Sequence, residues 1–233
     1  MLKSIIPLIM SSSILTQSLY AGSIRISPVQ VDIVNQNQAA SLSLMNQSSA
    51  SSNLQIRVFK WEQNDLGQDI LTETDEIAVS PPALKMQPNM AYNIRAIKTK
   101  PISIDVEQAY RIVIDELPSP YDSRKIENGL QVLVRTSLPL FAVKKDAFSN
   151  LSAQIVMKND KAMIAVKNQG TRHELIQSLS LENSKSKKSI EISVNTINGY
   201  VLAGKTKYFP IDSSINSSSF KIVLKSNNKT KTF

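Results

Sequence analysis

From residue 24 onward the chain is written in short runs of alternating apolar and polar residues. In "IRISPVQVDIV" (24–34) the residues Val29, Val31 and Ile33 share one face. In "ASLSLMN" (40–46) Leu42 and Leu44 do so. "LQIRVFKW" (54–61) sets Leu54, Ile56, Val58 and Lys60 on one face and Gln55, Arg57, Phe59 and Trp61 on the other. A period of two is the signature of a β-strand with one buried face. "EIAVSPPAL", "AYNIRAI", "AYRIVIDEL" and "LQVLVRTSLPLF" (130–141) continue the series. The last of these departs from simple alternation. Leu130, Val132 and Val134 form one apolar row, Leu133 adds an apolar residue to the opposite face, and Arg135 interrupts the run. By pattern alone it reads equally as a central strand buried on both faces.

These runs predict about seven strands between residues 24 and 141, the number of an immunoglobulin-like sandwich. Six shorter candidates follow: "AQIVMK", "AMIAVKNQ", "HELIQSLSL", "SIEISVNTI", "YVLAGKTKYF" and "FKIVLK". The polar stretch "KKDAFSN" (144–150) separates the two series and reads as a linker or corner. The expected division is residues 1–21, 22–143 and 144–233. "SPP" (80–82) marks a strand end or a crossing between sheets, because proline cannot donate within a ladder. Whether a bond at Pro81 or Pro82 is cis is not legible. The polar tail "SNNKTKTF" is expected to fray.

The N-terminus changes the picture of where the chain works. "MLKSIIPLIMSSSILTQSLYA" pairs Lys3 with an apolar run over residues 5–15 and ends on Ala21. That is the pattern of a secretory signal peptide, and the run is too short to span a bilayer, which takes about 20 apolar residues. The chain has no cysteine, so an exported product must rely on its core rather than on disulfides.

Candidate chemistry is sparse. One histidine and no cysteine leave little for a metal site, and no cofactor is expected. His173 lies in a turn-like stretch without a nucleophile elbow and reads as structural or surface. Asp115 and Glu116 are neighbours on a strand, so they face opposite ways and cannot act as a pair. With six glycines there is no phosphate loop. The net charge of +8 is spread along the chain, and "KSKK" (185–188) has no interleaved aromatics, so nucleic-acid binding is not expected. The chain does not read as an enzyme.

Several motifs together resemble the periplasmic pilus (fimbrial) chaperones of the chaperone–usher pathway, the PapD-like family. They are "SLSLMNQ" (41–47), "VSPPALKMQP" (79–88) with "YNIRAI", "EQAYRIVIDELP" (107–118), "LQVLVRTSLPLF" and, in the second half, "GYVLAGKTKYFPI" (199–211). "VFKWEQ" and "AYRIVIDELP" look most similar to the archaic branch. The resemblance implies an all-β protein of two immunoglobulin-like β-sandwich domains set at an angle around a cleft. It implies a periplasmic binding protein whose partners are pilus subunits and an outer-membrane usher, with a self-capping dimer as an option for the free protein.

The resemblance also gives the unusual strand a role. The last strand of the first domain would complete a subunit that lacks a strand, offering Leu130, Val132 and Val134, while Leu133 packs into the chaperone's own core. Leu138 would continue the row only after a register shift. In the family an Arg on the first strand and a Lys on the last hold the subunit's terminal carboxylate. Those positions fall here on Gln30 and Pro139. The candidate replacements are Arg111 and Arg135, followed by Arg25 and Arg95. The competing readings are a pilus subunit or adhesin, and a general two-domain periplasmic β-sandwich binding protein.

Overall fold

The computed structural model describes residues 24–118, 132–194, 199–211, 219–227 and 229–233. The proposed signal segment, Leu130 and Gln131 lie outside them. Ten strands precede the corner at residues 144–150: β1 (Ile24–Ser27), β2 (Val31–Val34), β3 (Ala39–Asn46), β4 (Ser52–Gln63), β5 (Asp69–Glu73), β6 (Ile77–Ser80), β7 (Ala83–Met86), β8 (Ala91–Lys98), β9 (Gln108–Leu117) and β10 (Arg135–Val143). They form two sheets, β1-β3-β8-β6 and β2-β10-β9-β4-β5, with β7 also paired to β4. Alternate residues of both sheets meet in one core that includes Leu42, Leu44, Ile56, Ile94, Tyr110, Ile112 and Leu140. This is the packing of a sandwich with one apolar face per sheet.

The run 24–34 is two strands rather than one. Pro28 interrupts it after Ser27, and the Ser27–Pro28 bond is cis. β1 pairs with β3 in one sheet, whereas β2 runs parallel to β10 in the other. Val29 lies at the crossover and is exposed, while Val31 and Ile33 reach the core. The second proline-rich stretch also carries the chain between sheets: β6 ends at Ser80, β7 begins at Ala83 on the opposite sheet, and Ser80–Pro81 is cis. The strand "DILTE" (β5) has no clean alternation and was not legible as a strand. It forms because β4 extends to Gln63 and turns back through Asn64 and Gly67, whose φ of 73° suits the left-handed region open to glycine.

After the corner come β11 (Leu151–Lys158), β12 (Lys161–Asn168), β13 (Glu174–Asn183), β14 (Ser189–Ile192), β15 (Tyr200–Val201), β16 (Thr206–Pro210), β17 (Phe220–Ser226) and β18 (Lys229–Thr232). The sheets β11-β12-β16 and β14-β13-β17-β18 enclose a second core of Ile164, Val166, Ile176, Leu181, Phe209 and Leu224, among others. The polar tail does not fray. Lys229–Thr232 pairs antiparallel with β17, and Phe233 exchanges both backbone hydrogen bonds with Ile222. A polar residue string can hold an edge strand because an edge has one solvent-facing side to satisfy.

The two sandwiches are joined by a third, smaller cluster. Trp61, Ala109 and Phe141 of the first pack against Leu202 and Tyr200 of the second. Gln63 acts as a clasp: its Nε2 donates to the Tyr200 carbonyl at 2.8 Å and its Oε1 accepts from the Leu202 N–H at 3.0 Å. His173 is buried here. Its ring stacks on Phe141 with centroids 3.7 Å apart, and Nδ1 lies 2.8 and 2.9 Å from the Glu107 carboxylate oxygens. Arg172 reaches Asp32 at 2.6 Å. At the β4–β5 turn, a Cβ on Gly67 would sit 2.9 Å from the Thr206 carbonyl oxygen and 3.0 Å from Lys207 Cα. Gly67→Ala is therefore expected to lower the melting temperature, through both the clash and the positive φ. A melt unchanged from wild type would show that this turn does not support the domain contact.

Candidate binding cleft

The site is built on the β2-β10-β9-β4-β5 sheet, with Arg111 and Arg135 on the face that points away from the first core and the apolar row before β10 on the core side. β9 and β10 pair in unbroken register, with Arg111 opposite Pro139 and Asp115 opposite Arg135. On β10, Leu138, Leu140 and Ala142 enter the core. Phe141 takes the other face, toward the second domain. Pro139 is buried one residue ahead of the pairing with β2.

Extending that alternation backward places Val134 and Val132 on the core row and Leu133 on the outer row with Arg135. No register shift is needed to add Leu138 to the row, contrary to the expectation from sequence. Leu133 does not pack in the core. It is 46% exposed and lines an outer groove with Arg57, Asp115 and Arg135. Val134 lines a small cavity of about 80 Å³ with Ile24, Ile26 and Ile114, at the open end of the sandwich. Val132 is 68% exposed. β10 begins only at Arg135, and residues 132–134 are held by the Glu116 N–H bond to the Val134 carbonyl at 3.0 Å and a longer one from Val134 N–H to the Glu116 side chain. An apolar segment thus leaves the sheet where its own core ends.

The four arginine candidates go to different places. Arg25 and Arg95 are exposed. Their neighbours Ile24, Ile26, Ile94 and Ala96 pack into the core, so both arginines sit on the outer face of the β1-β3-β8-β6 sheet, away from the second domain. The structure does not bring them to the cleft. Arg135 lies in the outer groove of the first domain, where its Nε donates to Asp115, which also receives Arg57 at 2.8 Å. These bonds, chiefly from Arg135, hold the Asp115 carboxyl below the usual carboxylate range. A carboxyl with a depressed folded pKa stabilises above its unfolded value of about 4, and that stabilisation is lost as pH falls through the folded pKa. Asp115→Asn should therefore flatten the acid side of the stability curve below about pH 4, measured by melts across pH. An acid limb identical to wild type would contradict the assignment.

Arg111 is different in kind. It is 8% exposed, and its guanidinium stacks over the Trp61 ring at 3.7 Å and lies 5.5 Å from the Tyr200 ring centroid. Burial lowers its pKa, with Asp69 and Tyr200 opposing. Among the described residues, no carboxylate forms an ion pair with it. Stacking on an aromatic face suits the planar, weakly hydrated guanidinium. It also leaves the edge donors of the guanidinium available to a planar anion such as a carboxylate. Sequence reasoning selected Arg111, but missed Trp61 beneath it and Tyr200 beside it. The signal was there in part: Trp61 sits on the polar-labelled face of β4, which marks that face as covered.

The fold is shared with known proteins. A model of the pili and flagellar-assembly chaperone family, PapD N-terminal domain, matches residues 23–143. A probable fimbrial chaperone LpfB of Escherichia coli O157:H7 is 28% identical over 142 residues, covering 60% of this chain and 58% of the relative. The chaperone protein LpfB of Salmonella typhimurium is 25% identical, covering 55% of this chain and 53% of the relative. The matched part thus spans less than two thirds of each curated relative. Among solved structures, a chain of the CsuC–CsuE chaperone–tip adhesion subunit pre-assembly complex, from archaic chaperone-usher Csu pili of Acinetobacter baumannii, is 27% identical. It superposes with a TM-score of 0.68, covering 91% of this chain and 97% of that one. The YadV chaperone shares the fold at 16% identity, with a TM-score of 0.66 over 91% of this chain and all of its own. Two β-sandwiches with this topology, and a first domain matched from end to end, place the chain in the family of pili and flagellar-assembly chaperones with a PapD N-terminal domain.

Proposed function

We propose that this protein is a periplasmic chaperone that caps pilus subunits by donating a strand and passes them to an outer-membrane usher. Residues 1–21 act as its signal peptide, 22–143 as the strand-donating domain and 144–233 as the second domain. The observation that carries the reading is the end of β10. There Val132 and Val134 continue a core-facing row past the point where the protein's own core ends. A subunit lacking one strand exposes a groove and unpaired backbone groups, and an extended segment with alternate apolar side chains satisfies both. Leu130, two residues before Val132, is assigned to the same row. The subunit's terminal carboxylate is assigned to Arg111, which is buried and stacked, and not to Arg135, which Asp115 already occupies.

The test is co-expression with a secreted pilus subunit. The full chain should raise recovery of that subunit from the periplasm, and equal recovery with and without it would contradict the reading. Arg111→Ala should weaken capture by about 30- to 150-fold, the equivalent of roughly 2–3 kcal/mol for a lost hydrogen bond to a charged group. Titration of the purified subunit measures it. Wild-type affinity in a folded Arg111→Ala protein would remove Arg111 from the site.

A further inference from the structure

The positive charge is not spread along the chain as it first reads. Residues 22–143 carry 11 Lys and Arg against 13 Asp and Glu, whereas residues 144–233 carry 15 against 6. Within the second domain part of this excess gathers at one sheet edge. Lys221 and Lys225 lie on β17, Lys229 and Lys231 on β18, and all four are exposed. Among the described residues β18 pairs only with β17, so it forms the rim of its sheet. The register sets Lys229 opposite Ser226, Lys231 opposite Leu224 and Lys225 opposite Thr230. Opposite residues share a face. Lys229 and Lys231 therefore stand on the core side with the buried Ser226 and Leu224, beyond the rim of the core, while Lys221 and Lys225 stand on the outer side. The rim thus carries lysines on both its sides, across two strands about 5 Å apart. Phe233, which exchanges backbone hydrogen bonds with Ile222, continues the row of Lys229 and Lys231 and is 38% exposed.

Among the described residues no carboxylate forms an ion pair with these four lysines. Residues 213–233 contain no Asp or Glu. On the neighbouring strand β13, Glu182 lies opposite Lys221 but accepts from Lys187 at 3.1 Å, and Glu174 is taken by Asn227 and Ser149. Lysines on an edge strand guard against edge-to-edge pairing, which accounts for Lys229 and Lys231. It does not account for Lys221 and Lys225, whose strand is paired on both sides. Crowding like charges costs stability, so a cluster without partners inside the molecule fits an anionic partner outside it. The residue type narrows that partner. Of the 15 cations in residues 144–233, 14 are lysine. Lysine is a hydrated point charge depleted at protein–protein interfaces, where the planar arginine is favoured. It suits a flat, diffuse field of negative charge, and an aromatic at the rim suits the headgroup level of a bilayer. We infer that the β17–β18 edge docks the second domain on a bilayer surface bearing anionic headgroups. None of its residues belongs to the cluster that joins the domains, so the first domain stays free to face a client.

The test is flotation of the purified protein with vesicles of phosphatidylcholine alone and of phosphatidylcholine with about 30% phosphatidylglycerol. Wild type should float with the anionic vesicles and not with the neutral ones, and binding should fall steeply between about 50 and 300 mM NaCl. A variant carrying Lys221→Ser, Lys225→Ser, Lys229→Ser and Lys231→Ser should lose about a hundredfold or more in partitioning. The pair Lys221→Ser and Lys225→Ser, which leaves β18 untouched, should lose about tenfold or more. A charge-matched variant with Lys145→Ser, Lys161→Ser, Lys167→Ser and Lys205→Ser changes exposed lysines of the corner and the opposite sheet. It should stay within about threefold of wild type, since charges held away from the surface are screened. Melts establish that each variant is folded. Flotation with neither vesicle, or equally with both, overturns the inference. Equal losses in the two fourfold variants would reduce the effect to net charge and overturn the edge as the docking surface, as would wild-type binding in the folded pair variant. If wild type ignores anionic vesicles but binds polyglutamate through these lysines, the partner is an acidic protein and the bilayer assignment is overturned.

Discussion

Val132→Glu is expected to abolish subunit capture while leaving the protein folded. The side chain is largely exposed in the free protein, so a glutamate there meets water and costs the fold little. In the bound state the same position would fill an apolar pocket of the client, where an unpaired carboxylate costs several kcal/mol. That is enough to reduce co-purified subunit to background at ordinary expression levels. Leu133→Glu is the matched control. Leu133 faces the groove lined by Arg57 and Arg135, where a new carboxylate finds cations. Recovery of subunit from the periplasm, with melts of each variant, gives the result. Normal recovery with folded Val132→Glu, or loss with Leu133→Glu alone, would move the donated row to the other face of the strand.

Trp61→Ala is expected to have the largest effect on stability. The ring is 2% exposed, lies against Phe141 at 6.0 Å and Tyr200 at 5.3 Å between centroids, and carries Arg111 on its face. Removing a buried aromatic of this size costs about 3–5 kcal/mol, and at this chain length that corresponds to a drop of roughly 6–20 °C in melting temperature. The loss should not be confined to one domain, because Trp61 packs against residues of both. Trp61→Phe should recover much of the stability but less of the stacking under Arg111. A Trp61→Ala melt within a degree or two of wild type would show that the junction is not held by this cluster.

Much of the fold was legible because a period of two survives in β3, β4 and β8, where one face meets a core and the other is more open. The strand breaks were legible where proline supplied them at Pro81; at Pro28 the break was read through, although the apolar positions change phase there, from Ile24 and Ile26 to Val29, Val31 and Ile33, as the chain changes sheet. β5 and β18 were missed or read as tail. Their residues are mostly exposed, and what holds them is backbone pairing to β4 and β17, which leaves no hydrophobic pattern to read. The apolar row of "LQVLVRTSLPLF" was visible, yet the destination of Leu133 was not. Its exposure depends on where the first core ends, a property of β1 and β9 as much as of β10. For the arginines, sequence could name them and their strands, and parity with neighbouring core residues would have removed Arg25 and Arg95. It could not reveal that Arg135 is taken by Asp115, or that Arg111 stacks on Trp61.

The central claim is that the segment before β10 becomes a paired strand of the client. Hydrogen exchange at the Val132 and Leu133 amides tests it most directly, since backbone amides outside a ladder exchange quickly and paired ones do not. Measured on the free protein and on its complex with a co-expressed subunit, those amides should pass from fast exchange to strong protection, with β3 and β8 of the opposite sheet unchanged. Fast exchange at both amides in a stable complex would contradict strand donation and would locate the client on another surface.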